Sequence, residues 1–359
     1  MRPKHLSLFI VLLIGSTAFA QPSQVETFDQ FYQVFNNNYA FFDLHNVDWQ
    51  ASYKKNRPLV SEKISDDSLF NVMSAMVKPL ADSHVTLIDA KHKKKFNAPG
   101  PSAFAQAFNT DSLKTAFWQM ADSTLASSGF APVKGYGSVF KGKHLFYFTR
   151  SKNIGYLRFS RCFAKITNGE LDEKDFEMQV LDSLMAQCNG LKAMMIDVRA
   201  NIGGDNKFSY EVAGRFTNEP VTGHYKQERI PSTQKYTKLQ KWVIKPKGTY
   251  RFTGPVTVLT NSKTVSAAEI FTLAMKQLPQ VKTIGENTEG NLSDMYSEDL
   301  PNGWSVTLSN QRYYSPKMVC YEGVGVPVDV KVTNNKADLK LMQDPVIIGA
   351  LAVLNSNAK

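Results

Sequence analysis

Cysteine is scarce: Cys162, Cys188 and Cys320 are the only three in 359 residues. A small, odd number excludes a disulfide-stapled scaffold and leaves at least one thiol unpaired within the chain. Histidine is scarce too, with six. None stands at the cysteine or histidine spacings that hold zinc, so neither a metal nor a cofactor is expected. No G-x-x-x-x-G-K loop is present, which removes a common phosphate cradle. Internal repeats and low-complexity tracts are lacking. With 43% hydrophobic and 21% charged residues, the chain is neither disordered nor fibrous. At about 150 residues per domain, its length allows roughly two domains.

The one long apolar run lies at the start. Arg2, Lys4 and His5 precede the apolar residues 6–14, and Ala18-Phe19-Ala20 offers small residues where a signal peptidase reads. This run is shorter than the roughly 20 apolar residues a spanning helix needs. The expectation is a signal peptide over 1–20 cleaved near Ala20, an exported protein (periplasmic or extracellular) and no stable membrane insertion. The formal charge is +10. Its densest cluster, Lys91-His92-Lys93-Lys94-Lys95, has no interleaved aromatics. It reads as a solvated loop, so no nucleic-acid partner is expected.

Over residues 21–96 the apolar spacing is helical. Phe28, Phe31, Tyr32 and Phe35 recur at three- and four-residue intervals, as do Leu69, Val72, Met73 and Met76, with Asp66-Asp67-Ser68 at the place of an N-cap. A small helical cap domain follows from this. Residues 97–150 read as a linker of mixed character: a Pro/Gly breaker cluster at 97–102, a helical stretch near 113–125, then glycine-marked turns. From 151 to 359, short apolar strands (154–159, 193–198, 256–260, 281–284, 304–308) alternate with helical stretches (176–188, 266–278). That alternation implies an α/β core with a largely parallel, covered sheet.

Four segments can carry chemistry. In Thr260-Asn261-Ser262-Lys263-Thr264-Val265-Ser266-Ala267-Ala268-Glu269 a buried strand turns into a helix with Ser266 at its start. A hydroxyl there sits near unpaired backbone N–H groups and the positive end of a helix dipole, which favours an alkoxide and an oxyanion. Serine is also an ordinary N-cap. Asp197-Val198-Arg199-Ala200-Asn201-Ile202-Gly203-Gly204 runs from a strand end, where ligands of α/β sheets bind, into paired glycines whose amides can converge on a ligand. Ala81-Asp82-Ser83-His84 supplies the best-placed imidazole, since a serine nucleophile needs a base. His45, His92, His144 and His224 show no obvious partner. Glu322-Gly323-Val324-Gly325 offers a carboxylate that could orient a base.

Taken in this order, D-V-R-x-N-x-G-G, V-S-A-A-E-I-F and E-G-V-G-V-P-V-D resemble the serine peptidase family of the C-terminal processing peptidases and the tricorn protease core. The resemblance covers most of the chain after residue 20. It implies a helical cap on a core of the crotonase and Clp-protease type, with Ser266 as nucleophile. The amide of Ala267 and one from Gly203 or Gly204 would form an oxyanion hole. The processing branch pairs its serine with a lysine twenty-five residues on; Asn291 stands there. Ser83-His84 and Glu322 match the tricorn-like pattern instead, which implies His84 as base, Ser83 as an orienting hydroxyl and Glu322 as carboxylate partner. Residues 97–150 are too short for the peptide-binding PDZ module of the processing branch. The implied activity is that of a serine endopeptidase working on polypeptides through an acyl-enzyme. The same core also resembles photoreceptor retinoid-binding modules, so an apolar-ligand binder or inactive homologue, or an esterase, are the rival expectations.

Overall fold

The computed structural model describes residues 23–100, 102–167, 170–172 and 174–356. The expected signal segment, 1–20, lies outside them.

The helical spacing of the first hundred residues forms α1 (Gln24–Asn38), α2 (Trp49–Asn56) and α3 (Asp66–Val77). Ser23 caps α1, its side chain accepting from Glu26 N–H. The α3 cap is Ser65, not the Asp66-Asp67-Ser68 cluster; Asp66 and Asp67 instead fill the first turn, where their charge complements the helix dipole. Phe28, Phe31, Phe35, Trp49, Leu69 and Met73 are buried together, and each such side chain contributes about 2 kcal/mol by leaving water. The cap is not purely helical. A hairpin, β1 (Thr86–Asp89) and β2 (Lys94–Asn97), follows it. The basic run therefore straddles a turn and a strand: His92 pairs with Asp89 at 2.7 Å, and Lys94 pairs with Asp67.

Two helices, α4 (Ala103–Ala107) and α5 (Asp111–Ser127), lead into the core. Next come β3 (Lys134–Phe140), β4 (Lys143–Arg150), β5 (Ile154–Phe159), a short β6–β7 hairpin (Lys165–Thr167, Glu170–Asp172), α6 (Lys174–Ala186), β8 (Ala193–Asp197) and α7 (Asn206–Ala213). The chain continues through β9 (Val221–Glu228), β10 (Gln240–Ile244), β11 (Val256–Thr260), α8 (Ala267–Met275) and β12 (Val281–Gly285). It closes with β13 (Met295–Asp299), β14 (Ser305–Ser309), β15 (Gln311–Tyr314), β16 (Val330–Lys331), α9 (Asp338–Leu341) and α10 (Pro345–Ser356).

The fold is mixed α/β. Its main sheet runs β16-β12-β11-β8-β5-β4-β3, with β16 to β5 parallel and β4 and β3 antiparallel at one edge. The stretch 97–150 is thus no mere connector, because β3 and β4 complete this sheet. One face packs against α6, α7 and α8, and the other against α5 and α10. β1 and β2 join β13 and β14 in a separate sheet, order β13-β14-β1-β2. Val306 and Leu308 of β14, with Trp304 just before it, complete the cap's apolar cluster, so the cap and the late strands form one packed body.

Parallel order has a consequence for function. β8, β11 and β12 are adjacent and point the same way, so the loops 198–205, 261–266 and 286–293 all leave from one edge of the sheet. They are stitched together: Ala200 N–H donates to Asn261 Oδ1 at 3.0 Å, Val265 N–H to Asn201 O at 3.1 Å, and Glu289 N–H to Thr264 O at 2.9 Å. Asp197 and Arg199 do not face a ligand, as their place at a strand end suggested. Both are fully buried, and the Arg199 guanidinium is held by Asp197 at 2.6 Å and Asp344 at 2.8 Å. This pair locks the first loop to the start of α10.

Candidate active site

Ser266 occupies the N-cap of α8 with φ 59° and ψ −126°. A residue with a Cβ avoids positive φ, and held this way it costs on the order of 1–3 kcal/mol, which the surroundings must offset. They do. All nine residues of α8 are buried, so the helix cannot shift to relieve the strain. Glu269, at the third helical position, reaches back to the Ser266 N–H at 3.0 Å, half of the reciprocal box that a serine followed three residues later by glutamate signals. The same carboxylate accepts from Thr288 Oγ1 at 2.6 Å, Gly290 N–H at 2.7 Å and Asn291 N–H at 2.8 Å. Burial nevertheless pushes its pKa up to about 7, against those bonds. In the sequence Glu269 is only a landmark of the motif; in the fold it clamps the third loop to the serine.

Asn291 is the hinge of the arrangement. Its carbonyl oxygen accepts from Ser266 N–H at 3.1 Å, and its Oδ1 accepts from Ser83 N–H at 3.1 Å. One buried asparagine therefore ties the Ser83-His84 segment of the cap to the mouth of α8. Its importance was legible only as the place where a lysine was missing.

His84 is buried, its N–H donating to Asp82 Oδ1 at 2.8 Å and its carbonyl accepting from Thr307 Oγ1 at 2.6 Å. The ring's Nδ1 lies 3.5 Å from Ser309 Oγ, the outer limit of a hydrogen bond. Burial holds the imidazole below its usual pKa, against the opposing charges of Asp82, Glu289 and Asp294. A neutral imidazole results, the form a general base requires. No hydrogen bond joins Ser266 Oγ to His84; the link between them is Asn291. The Ser83 hydroxyl is buried without a partner among the described residues.

Glu322 does not bond to His84. One of its oxygens accepts from the amides of Leu292 and Ser293, at 2.8 and 3.2 Å, and Oε1 is buried without a partner among the described residues. Burial first, then the charges of Asp82 and Glu269, raise its pKa well above the carboxylate range. Glu322 thus braces the third loop, and the carboxylates acting on the imidazole are those of Asp82, Glu289 and Asp294.

The paired glycines divide the work. Gly203 has φ +75°, and a Cβ there would stand 2.7 Å from Ser266 Cβ and 3.2 Å from Ala267 N. The loop backbone therefore abuts the serine so closely that only glycine fits. Its N–H is engaged by Asn201 Oδ1 at 2.9 Å. Gly203 O and Asp205 N–H pair with Cys162, which leaves the N–H of Gly204 outside that ladder. Ala267, as the first residue of α8, contributes an N–H with no partner within the helix.

A cleft of about 780 Å³ opens at this edge, lined by Ser83, Val265 and Ile202, the chain neighbours of His84, Ser266 and Gly203. Phe104 and Phe108 give it an apolar wall. Of the other histidines, His224 is fully buried and bonded to the Tyr210 hydroxyl at 2.6 Å, and His92 is paired with Asp89; neither belongs to this edge. Among the described residues no cluster of His, Cys, Asp or Glu could hold a metal, and no helix is long and apolar enough to cross a membrane.

The chain belongs to peptidase family S41, whose model matches residues 153–332, and residues 24–78 match the tricorn protease C1 domain. It is 29% identical over 182 residues to the chloroplastic carboxyl-terminal-processing peptidase 1 of Arabidopsis thaliana, covering 50% of this chain and 33% of that one. The chain spans about a third of the length of the curated relatives it matches. Among solved structures, a candidate peptidase from Parabacteroides merdae superposes with a TM-score of 0.76 at 25% identity, covering 93% of this chain and 97% of that one. The tricorn protease shares the fold, with a TM-score of 0.55 at 16% identity over 94% of this chain and 37% of its own.

Proposed function

We propose that the protein is a serine endopeptidase that cleaves extended polypeptides through an acyl-enzyme. The observation that carries this reading is the strained Ser266 at the mouth of a buried helix, tied through Asn291 to the segment bearing a neutral, buried imidazole. In this reading Ser266 Oγ attacks the peptide carbonyl while His84 takes its proton, and His84 then returns that proton to the leaving amine. The N–H groups of Ala267 and Gly204 receive the oxyanion, since that of Gly203 is already engaged. Water then repeats the attack on the ester and frees the serine. Ser83 and Glu322 act indirectly, by positioning the His84 segment and the 286–293 loop. A chain lying in the apolar cleft would bind extended, as peptides do against sheet edges. The basic start, short apolar run and small residues of segment 1–20 support the reading that the substrates are met outside the cytoplasm.

The test is cleavage of an unstructured, quench-labelled polypeptide by the wild type and by Ser266→Ala, with fluorophosphonate labelling followed by peptide mapping. Loss of cleavage by at least about a thousandfold, and label on Ser266, are expected. Equal cleavage by the variant would refute the assignment. Turnover of p-nitrophenyl esters without any peptide cleavage would move the protein to the esterases.

A further inference from the structure

A second cavity, of about 620 Å³, opens beside the cleft and shares Lys143, Ala200 and Ile202 with it. The cleft carries Lys95, Lys114, Lys143 and Lys263 beside its phenylalanine wall, and the second cavity adds a fixed guanidinium. The Arg158 guanidinium, projecting from β5, is sandwiched between Trp118 of α5 and Tyr147 of β4, with each ring centroid 4.2 Å away. Such stacking fixes the plane of the group. Nη1 donates to Asp122 at 3.2 Å, and the remaining nitrogens have no acceptor among the described residues. Lys141 and Lys143 stand at the rim on the β3–β4 turn, and Arg161 in the wall donates only to neutral oxygens of Ser138, Lys143, Ser160 and Ala164. Asp122 is the single carboxylate among the lining residues.

A planar guanidinium edge with free N–H groups, flanked by ammonium groups, matches a carboxylate. We propose that this cavity is a specificity subsite that takes the acidic side chain of a polypeptide lying in the neighbouring cleft. The inference rests on the peptidase reading above. The cavity adjoins the cleft through the three residues they share, so a side chain of a bound polypeptide, and not its terminus, is the group that would enter it. A bound strand projects its side chains sideways there while its backbone runs on.

The experiment uses peptides blocked by amidation at the carboxyl end and identical except for Glu or Gln at each position around one cleavable bond. Cleavage by the wild type and binding to Ser266→Ala, read by fluorescence anisotropy, are measured in parallel. At one position Glu should be favoured over Gln about tenfold, as one charged bidentate contact allows. That preference should shrink in 0.5 M salt and fall below about threefold in Lys143→Gln and Arg158→Gln. Arg158 is buried and its variant could misfold; Lys143 is exposed, so its variant keeps the test decisive. Equal use of Glu and Gln at every position, a preference untouched by Lys143→Gln, or one that appears only with a free terminal carboxylate would overturn the subsite. Equal cleavage of both peptides leaves the peptidase reading standing. Selective binding of the Glu peptide without cleavage by the wild type would keep the subsite and sink the peptidase reading. Absence of both binding and cleavage sinks both.

Discussion

Glu269 offers a quantitative handle on how the site is held. Its carboxyl is wholly buried, with a pKa moved from 4.5 to about 7. A carboxyl whose folded pKa is raised holds its proton more tightly in the native than in the unfolded state. Between pH 4.5 and 7 the unfolded chain therefore binds fewer protons, and stability must fall as pH rises. At 1.36 kcal/mol for each unit of pH, the contribution lost across this window is about 3 kcal/mol. Glu269→Gln removes the titration. The amide nitrogen can turn toward Thr288, whose hydroxyl already accepts from Val326 N–H and would accept from the amide too, giving up its bond to position 269; the Gly290 N–H is then left without its acceptor. One buried orphan donor costs about 1–3 kcal/mol. Guanidinium unfolding of both proteins from pH 4.5 to 8 should therefore show the wild type's advantage at acid pH narrowing by about 3 kcal/mol toward neutrality. If the gap instead widens as pH rises, the four donors and the helix terminus outweigh burial. The carboxylate would then be ionised throughout, and burial would not be the force that sets its charge.

Other outcomes follow from the same geometry. Gly203→Ala puts a Cβ against Ser266 and Val265 at a positive φ, so a loss of about 2 kcal/mol in stability and of most peptide cleavage is expected, measured by calorimetry and turnover; a fully active variant would show that the glycine loop has freedom to retreat. The rate kcat/KM should decline in acid with a midpoint below the ordinary imidazole value of 6.5, because His84 must be neutral to act and burial lowers its pKa; a midpoint above 6.5 contradicts this. Asp344→Ala removes one partner of the buried Arg199, which should lower stability by about 3–5 kcal/mol. An unchanged melting temperature would mean that Asp197 and Asn334 suffice.

Much of the molecule was legible before folding was considered. The three- and four-residue spacing of Phe28, Phe31 and Phe35 marked α1, and the run 154–159 coincided with β5, because periodicity reports which face is buried. The V-S-A-A-E stretch marked α8, though not its function as a clamp. Less legible was β3, whose glycine-broken pattern suits an antiparallel edge better than a buried strand. The hairpin after the cap is hidden in the sequence because Lys94 and Lys95 disguise β2, while β1 is held by β14, more than two hundred positions away.

From sequence alone come the cap helices, the alternating core, the residue types Ser266, His84, Gly203 and Gly204, and the departure at Asn291, all of which depend on local chemistry and short-range order. Only the tertiary structure decided how they combine. It joined Ser83 to Ser266 through one asparagine, tied Arg199 to Asp344 and left Glu322 bracing a loop and not the imidazole. Hydrogen bonds between residues so distant in the chain depend on how three parallel strands align their ends, and no local spacing carries that information.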